Sequence, residues 1–543
     1  MSGAGRMDPI SLEVMRHGFA AVAEEMNANL VRSAYSPNIK ERRDCSSALF
    51  DAEGEMVSQA ESIPVHLGAM PFSVRAAIRH AGSFVAGDVL VLNDPYSGGA
   101  HLPDITFVSP VFNGERLIAF VANRAHHADV GGKEPGSVAG DAVEIYQEGL
   151  RIPVIRLWKA GELDRELLSL ILLNVRTPDE RWGDLRAQYA ACQTGMERLL
   201  AVVERRGVDR VLQGMAAVLD YSERRMRTEM QRIPDGEATF EDVLDDDGIE
   251  SRPIRLAVTV AVRGDEVVVD FRAADRQAAG PINAVQAVTA SATYFAVRAL
   301  TDPDIPANAG CYRPIRLVTR PGTVVDAVAP APVVGGNLET AQRIVDVVVG
   351  AWSKIVPKRA IAACQGTMNN VAIGGTDPRT GRAYTLYETI GGGYGASSSG
   401  DGEDGIHSHM TNTLNTPIEA VETAYPLRIE RYELIRGSGG DGEHRGGMGI
   451  RRDIRVLGHD ARVSLLTDRR RNAPYGVNGG RPGRTGRNVL LRVGGEGVLP
   501  AKTSMTVRAG EAISIETPGG GGYGSVDRRA QEAVERDRRE GRV

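Results

Sequence analysis

The chain predicts an α+β, multidomain fold: mixed and antiparallel sheets with flanking helices, ending in a glycine-rich β part. Three observations lead there. Its 543 residues are too many for one compact hydrophobic core. Apolar stripes at helical spacing alternate with short β-rich runs joined by tight turns. Downstream of about residue 365, glycine clusters such as IGGGYGASSSGDGEDG, RGSGGDGEHRGGMG, NGGRPGRTGR and TPGGGGYG interleave with short strands.

Asp8-Pro9 supplies an N-cap and a first-turn proline. Leu12, Met15, Phe19, Val22 and Met26 follow at spacings of three and four, so a helix is expected to near Ala34. SPNIKERRDCSSALFDAEGEMVSQA reads as a loop and then a hairpin. Ile105–Phe112 and Arg116–Asn123 are β-rich runs meeting at Asn113-Gly114, a two-residue hairpin signal. A Gly- and Pro-rich loop follows over 131–140.

From about Pro178 to Met230 the pattern is helical. Leu185, Tyr189, Cys192, Met196, Leu199 and Val203 mark one face, and a second helix starts near Val208 and ends before Pro234. Arg255–Val262 and Glu266–Ala273 form a strand pair around Arg263-Gly264-Asp265. A long helix is expected from Glu339 to about Lys354, with Glu339 and Arg343 paired one turn apart. Strands are expected at Ile454–Leu457, Val463–Leu466, Asn488–Leu491, Met505–Val507 and Ala512–Ile515. The expected units are an α+β domain at 1–240 carrying the histidine hairpin, a central α+β domain at 241–450, a β-rich domain at 451–525, and a charged tail at 526–543, either a solvated helix or disordered.

Composition narrows the function. A net charge of −6 gives no general attraction to nucleic acid or anionic membrane. No apolar run approaches the ~18 residues of a membrane span. The four cysteines, Cys45, Cys192, Cys311 and Cys364, lie far apart without a CxxC pair, which argues against a zinc ribbon or a disulfide framework. With no signal-peptide core at the N-terminus, a cytoplasmic protein is expected.

The candidate site lies in VLVLNDPYSGGAHLPDITFVSPVFNGERLIAFVANRAHHADVGG, in a chain with only 10 histidines. With Asn113-Gly114 as the turn, His101 falls opposite His126, close enough for two imidazoles to share one metal. Asp104 completes an HxxD…H set suited to Zn²⁺, Mn²⁺ or Fe²⁺. Strand parity would separate Asp104 from His101, but Pro103 breaks the strand between them. His127 has the opposite parity to His126. Asp44 is either a fourth ligand or an ion-pair partner of Arg42 or Arg43. His66, read as a loop residue, is a substrate-side or structural histidine. His407 and His409 alternate at strand spacing and would share one face, with Glu403 and Asp404 as the only carboxylates near enough for a second metal.

Nucleotide and covalent chemistry find no motif. GxxxxGK[ST] is absent, and Gly391-Gly392-Gly393-Tyr394-Gly395 does not open a convincing helix. No GxSxG and no Cys/His pair of recognisable spacing marks a nucleophile.

Several segments resemble the hydantoinase B/5-oxoprolinase family: DPISLEVMRHGFAAVAEEMNANLVRSAYSPNIKERRDCSSALFD, IPVHLGAMP, LNDPYSGGAHLPDITFVSPVF, NRAHHADVGG, GGNLETAQRIVD and TPGGGGYG. The length is similar to that of an N-methylhydantoinase B-like subunit. The resemblance implies a metal-dependent subunit that completes hydrolysis of a C–N bond in a hydantoin, 5-oxoproline or lactam ring. It implies a hetero-oligomer in which ATP is used only by a hydantoinase A-type partner. The implied ligands are Asp44, His101, Asp104 and His126, with His127 and His66 as candidate bases. Two alternatives stay open: a subunit of a ketone carboxylase, of the acetone or acetophenone kind, and a non-catalytic scaffold. One segment departs from the family's DFSGT-like pattern, reading Asp270-Phe271-Arg272-Ala273-Ala274.

Overall fold

The computed structural model describes residues 7–542. Helix α1 (Pro9–Ser33) begins where expected: the Asp8 carboxylate accepts from Ser11 N–H, and Pro9 occupies the first turn. A short helix α2 (Pro37–Lys40) leads to the hairpin β1 (Cys45–Asp51) and β2 (Met56–Gln59). Helix α3 (Pro64–Ala81) follows, then β3 (Val89–Leu92), β4 (Asp104–Asn113), β5 (Arg116–His126), β6 (Ile155–Lys159) and β7 (Glu162–Leu163). These seven strands make one sheet in the order β2-β1-β5-β4-β3-β6-β7, with every neighbour antiparallel. All residues of β5 from Ile118 to His126 are buried, because both faces of the sheet are covered. That is why the sequence shows a continuous apolar run there and not a clean alternation.

Helices α4 (Arg165–Leu173), α5 (Pro178–Arg206) and α6 (Val208–Met230) come next. On α5, Leu185, Cys192, Leu199 and Val203 are buried, as the helical spacing predicts. A second sheet is built from β8 (Gly236–Leu244), β9 (Ile254–Arg263), β10 (Glu266–Asp270) and, after α7 (Gln286–Leu300) and α8 (Ala309–Tyr312), β11 (Ile315–Val318). Its order is β11-β10-β9-β8, with only β10 and β11 parallel.

Helix α9 (Ala341–Ile355) is preceded by a π-turn over Gly336–Thr340 and is buried along almost its whole length. Then come β12 (Asn370–Thr376), β13 (Ala383–Glu388), α10 (Ile418–Ala424), β14 (Leu427–Leu434), β15 (Ile450–Val456), β16 (Ala461–Leu466), β17 (Arg487–Arg492), β18 (Gly495–Leu499), β19 (Lys502–Val507), β20 (Ala512–Glu516) and α11 (Gln531–Arg539). They form two sheets, β13-β12-β16-β19 and β14-β15-β20-β17-β18. The charged tail is neither free nor disordered among the described residues. Asp537 of α11 is buried and paired with Arg445 and Arg529.

The glycine clusters come together as backbone packed on backbone. A Cβ at Gly393 would lie 2.1 Å from Gly447 O, and one at Gly446 would lie 1.9 Å from Gly520 O. No side chain fits, which is the physical reason for glycine at these positions.

Four expectations are corrected. Asn113 pairs with Arg116, so the turn is Gly114-Glu115, and a bulge at Val111/Phe112 shifts the ladder again. His126 therefore faces Asp104, not His101. His66 lies in the first turn of α3, not in a loop. Glu339 and Arg343 do not pair. Glu339 accepts from Asn370 Nδ2 at 2.7 Å, while Arg343 reaches Asp468 at 3.0 Å, because the buried cation finds a buried carboxylate of its own. His407 and His409 sit in a loop with separate partners, Thr413 and Asp346, and form no metal pair.

Candidate metal centre

The site is assembled at the Asp104 end of the central hairpin. Pro103 ends the incoming loop, and Asp104 N–H donates to His101 O at 3.1 Å. This turn folds His101 back over the first residue of β4, resolving the parity problem. Across the ladder β5 delivers His126 directly opposite Asp104. The two imidazoles have ring centroids 5.1 Å apart.

A single oxygen is the focus. Asp104 Oδ1 lies 3.1 Å from His101 Nε2, 3.2 Å from His126 Nδ1 and 3.3 Å from His66 Nε2. Helix α3 carries His66 into the cluster, and Ser46 Oγ stands 3.4 Å from its Nδ1. Asp44 Oδ1 is 3.8 Å from His66 Nε2, and Asp44 Oδ2 is 3.8 Å from Arg42 Nη2. Asp44 O also accepts from His126 N–H at 3.0 Å, which stitches the start of β1 beside the cluster. Asp44 thus meets both environments read from sequence, the arginine and the histidine cluster.

All of these side chains are buried, with His101 and Asp104 at 0% exposure. Burial alone would push the Asp104 carboxyl up, but the imidazoles of His101 and His66 hold it well below its ordinary range. Burial pushes His126 down.

The donor set fits a divalent cation. Both ring nitrogens of His101, His126 Nε2 and Asp104 Oδ1 are buried with no hydrogen-bond partner. Buried polar atoms left unpaired cost about 1–3 kcal/mol each, so four of them in one place call for a ligand. One atom from each of His101, Asp104 and His126 lies within 4.8 Å of the others, the spacing of metal ligands. Two imidazoles and a carboxylate suit Zn²⁺, Mn²⁺ or Fe²⁺.

His127 is not brought to this cluster. Its Nε2 lies 2.9 Å from Gln188 Oε1 on α5, and burial, with Arg181 beside it, pushes its pKa down to about 4.

The far half of the chain closes the site. Tyr387 of β13 stacks on His126 with centroids 4.4 Å apart. Arg42 lies over the same tyrosine at 5.2 Å. Tyr387 Oη donates to Asn370 Oδ1 at 2.9 Å, and Asn337 Nδ2 is 3.5 Å from Asp104 Oδ2. Reading from local pattern missed Tyr387 and Asn337. Asn337 sits inside GGNLET, one of the segments carrying the family resemblance, whereas Tyr387 has no local signal.

Comparison with known proteins places the whole chain among relatives of similar sequence and fold. An uncharacterised protein of Methanocaldococcus jannaschii is 41% identical over 96% of this chain and 91% of its own length. The 5-oxoprolinase 1 of Arabidopsis thaliana is 37% identical over 95% of this chain, which spans only 42% of that longer protein. Among solved structures, the ATP-dependent caprolactamase of Pseudomonas jessenii superposes with a TM-score of 0.92 at 31% identity, over 99% of this chain and 95% of the other. The family model described as hydantoinase B/oxoprolinase matches residues 8–526. The chain belongs to the hydantoinase B/oxoprolinase family.

Proposed function

We propose that this chain is the metal-dependent subunit of an ATP-dependent hydrolase of cyclic amides. It opens the C–N bond of a hydantoin-, oxoproline- or lactam-like ring, and ATP is used on a hydantoinase A-type partner of a cytoplasmic hetero-oligomer. The observation that carries the reading is the buried His101–Asp104–His126 cluster with its unpaired donor atoms, in a chain of this family.

An amide carbonyl is a poor electrophile until its oxygen is activated, which gives ATP its purpose. The chain has no P-loop motif of its own, consistent with activation elsewhere. His101, Asp104 and His126 would hold the cation, with Asp44 as a further ligand. When bound there, a divalent cation would supply Lewis acidity. His66, 3.3 Å from Asp104 Oδ1, is the imidazole placed to carry a proton at the site. His127, tied to Gln188 on the α5 side, leaves that task to His66.

The test is reconstitution with an A-type subunit. Ring-opened product should form only with ATP, and the chain alone should show no ATPase activity. His101→Ala and Asp104→Ala should abolish turnover and lose metal after dialysis. Metal-free wild-type protein, with both variants fully active, would sink the reading. Incorporation of labelled bicarbonate into product would instead favour the ketone-carboxylase alternative.

A further inference from the structure

A cleft of about 490 Å³ opens between α1, the end of β2, the start of α3 and α7. That is room for one small molecule. Leu67 and Phe295 belong to its apolar wall, while its charged groups come from three separate elements. Arg298 is on α7, Glu24 on α1, and Glu61 in the segment between β2 and α3.

These charges do not neutralise one another. The Arg298 guanidinium is held by backbone carbonyls, with Nη2 donating to Pro303 O and to Ile305 O at 2.8 Å each, and its buried Nε has no hydrogen-bond partner. Carbonyl dipoles fix the group without cancelling its charge. Among the described residues Arg298 makes no ion pair, so a half-buried positive charge is left at the cleft. The other basic lining residues, Arg16 and His17, are turned to Glu13, at 2.7 and 3.4 Å. Glu24 and Glu61 are exposed and stand at the mouth. Gln59 of β2 adds an acceptor, because its Oε1 is buried and unpaired.

The cleft shares one helical turn with the metal centre. Leu67 lines the cleft, and the residue before it, His66, places Nε2 3.3 Å from Asp104 Oδ1.

We propose that this cleft binds an ω-amino acid, the ring-opened product of a lactam. Hydrolysis of the ring C–N bond adds one water and leaves a carboxylate at one end of an alkyl chain and, at neutral pH, an ammonium at the other. The carboxylate pairs with Arg298. The ammonium faces Glu24, Glu61 and the free Gln59 Oε1, and the alkyl chain lies on Leu67 and Phe295. The assignment rests on the hydrolase reading above and narrows it: a lactam gives such a zwitterion, whereas a hydantoin gives an N-carbamoyl acid with no ammonium.

The test is calorimetric titration of the full-length chain with 5-aminopentanoate, and with pentanoate, pentylamine and the parent ring 2-piperidone as controls. The amino acid should bind at least about 10-fold more tightly than any of the three, since each control lacks at least one charged contact. Arg298→Leu should weaken it by about 10-fold, and so should Glu24→Gln combined with Glu61→Gln. His101→Ala should leave it unchanged. Equal binding of all four compounds overturns the proposal, as does full affinity in a folded Arg298→Leu protein. Loss of binding in His101→Ala would place the acid at the metal centre and overturn the cleft assignment while leaving the hydrolase reading intact. Absence of turnover in the reconstituted complex, with binding of 5-aminopentanoate preserved, would sink the hydrolase reading alone. If Arg298→Leu does not fold, the glutamate variants and the four-compound comparison in wild-type protein decide.

Discussion

Tyr387 lies flat against His126, with ring centroids 4.4 Å apart and planes 15° from parallel. The two residues are far apart in sequence and belong to different sheets, so the orientation of one hairpin imidazole depends on the glycine-rich half of the chain. Tyr387→Ala removes that support and leaves a cavity, with an expected cost of about 3–5 kcal/mol. Tyr387→Phe keeps the stack and loses only the bond to Asn370, costing about 1 kcal/mol. Urea denaturation gives both values. Equal effects would mean that the hydroxyl, and not the stack, matters.

Removing a bound divalent ion should destabilise the fold, because a ligand held at 100-fold above its Kd contributes about 2.7 kcal/mol. A chelator should therefore lower the melting temperature of the purified chain, and stoichiometric Zn²⁺, Mn²⁺ or Fe²⁺ should restore it. In His101→Ala neither step should move the melt.

Glu148 gives a pH dependence away from the metal centre. Its Oε1 accepts from Val333 N–H at 2.8 Å and Val334 N–H at 3.0 Å, and burial pushes its pKa from 4.5 to about 8. Between those values the folded chain holds a proton that the unfolded chain has lost. The stability this group contributes is therefore complete below pH 4.5 and is lost as pH rises through 8. Glu148→Gln, which stays neutral, should flatten that part of the profile. A wild-type-minus-variant difference that is constant from pH 5 to 8 would contradict the assignment.

The glycine packing predicts a sharp positional contrast. Gly393→Ala places a Cβ 2.1 Å from Gly447 O, whereas a Cβ at Gly400 meets nothing within 4 Å. Thermal melts should show Gly393→Ala several kcal/mol less stable, or unable to fold, and Gly400→Ala close to wild type.

Local chemistry made much of the fold legible. The Asp8-Pro9 cap, the stripe of α1, the α5–α6 pair and the two strands of the central hairpin are nearest-neighbour and periodicity effects, and they appear where the residues demand. Local reading failed where an interaction crosses the chain. The hairpin signal gave the right strands, but a bulge decided the register and moved His126 from His101 to Asp104. Helical spacing offered Arg343 a partner in Glu339, but in the buried interior the cation goes to Asp468, a carboxylate more than a hundred residues away.

The candidate metal ligands His101, Asp104 and His126 could be named from sequence because all three belong to one hairpin, where short-range geometry holds them together. The tertiary structure alone decided the rest of that pocket. It brings His66 in on a helix, turns His127 away to α5, and covers His126 with Tyr387. It also joins His409 to Asp346, 3.1 Å apart, a proximity fixed by long-range packing that no spacing in the chain records.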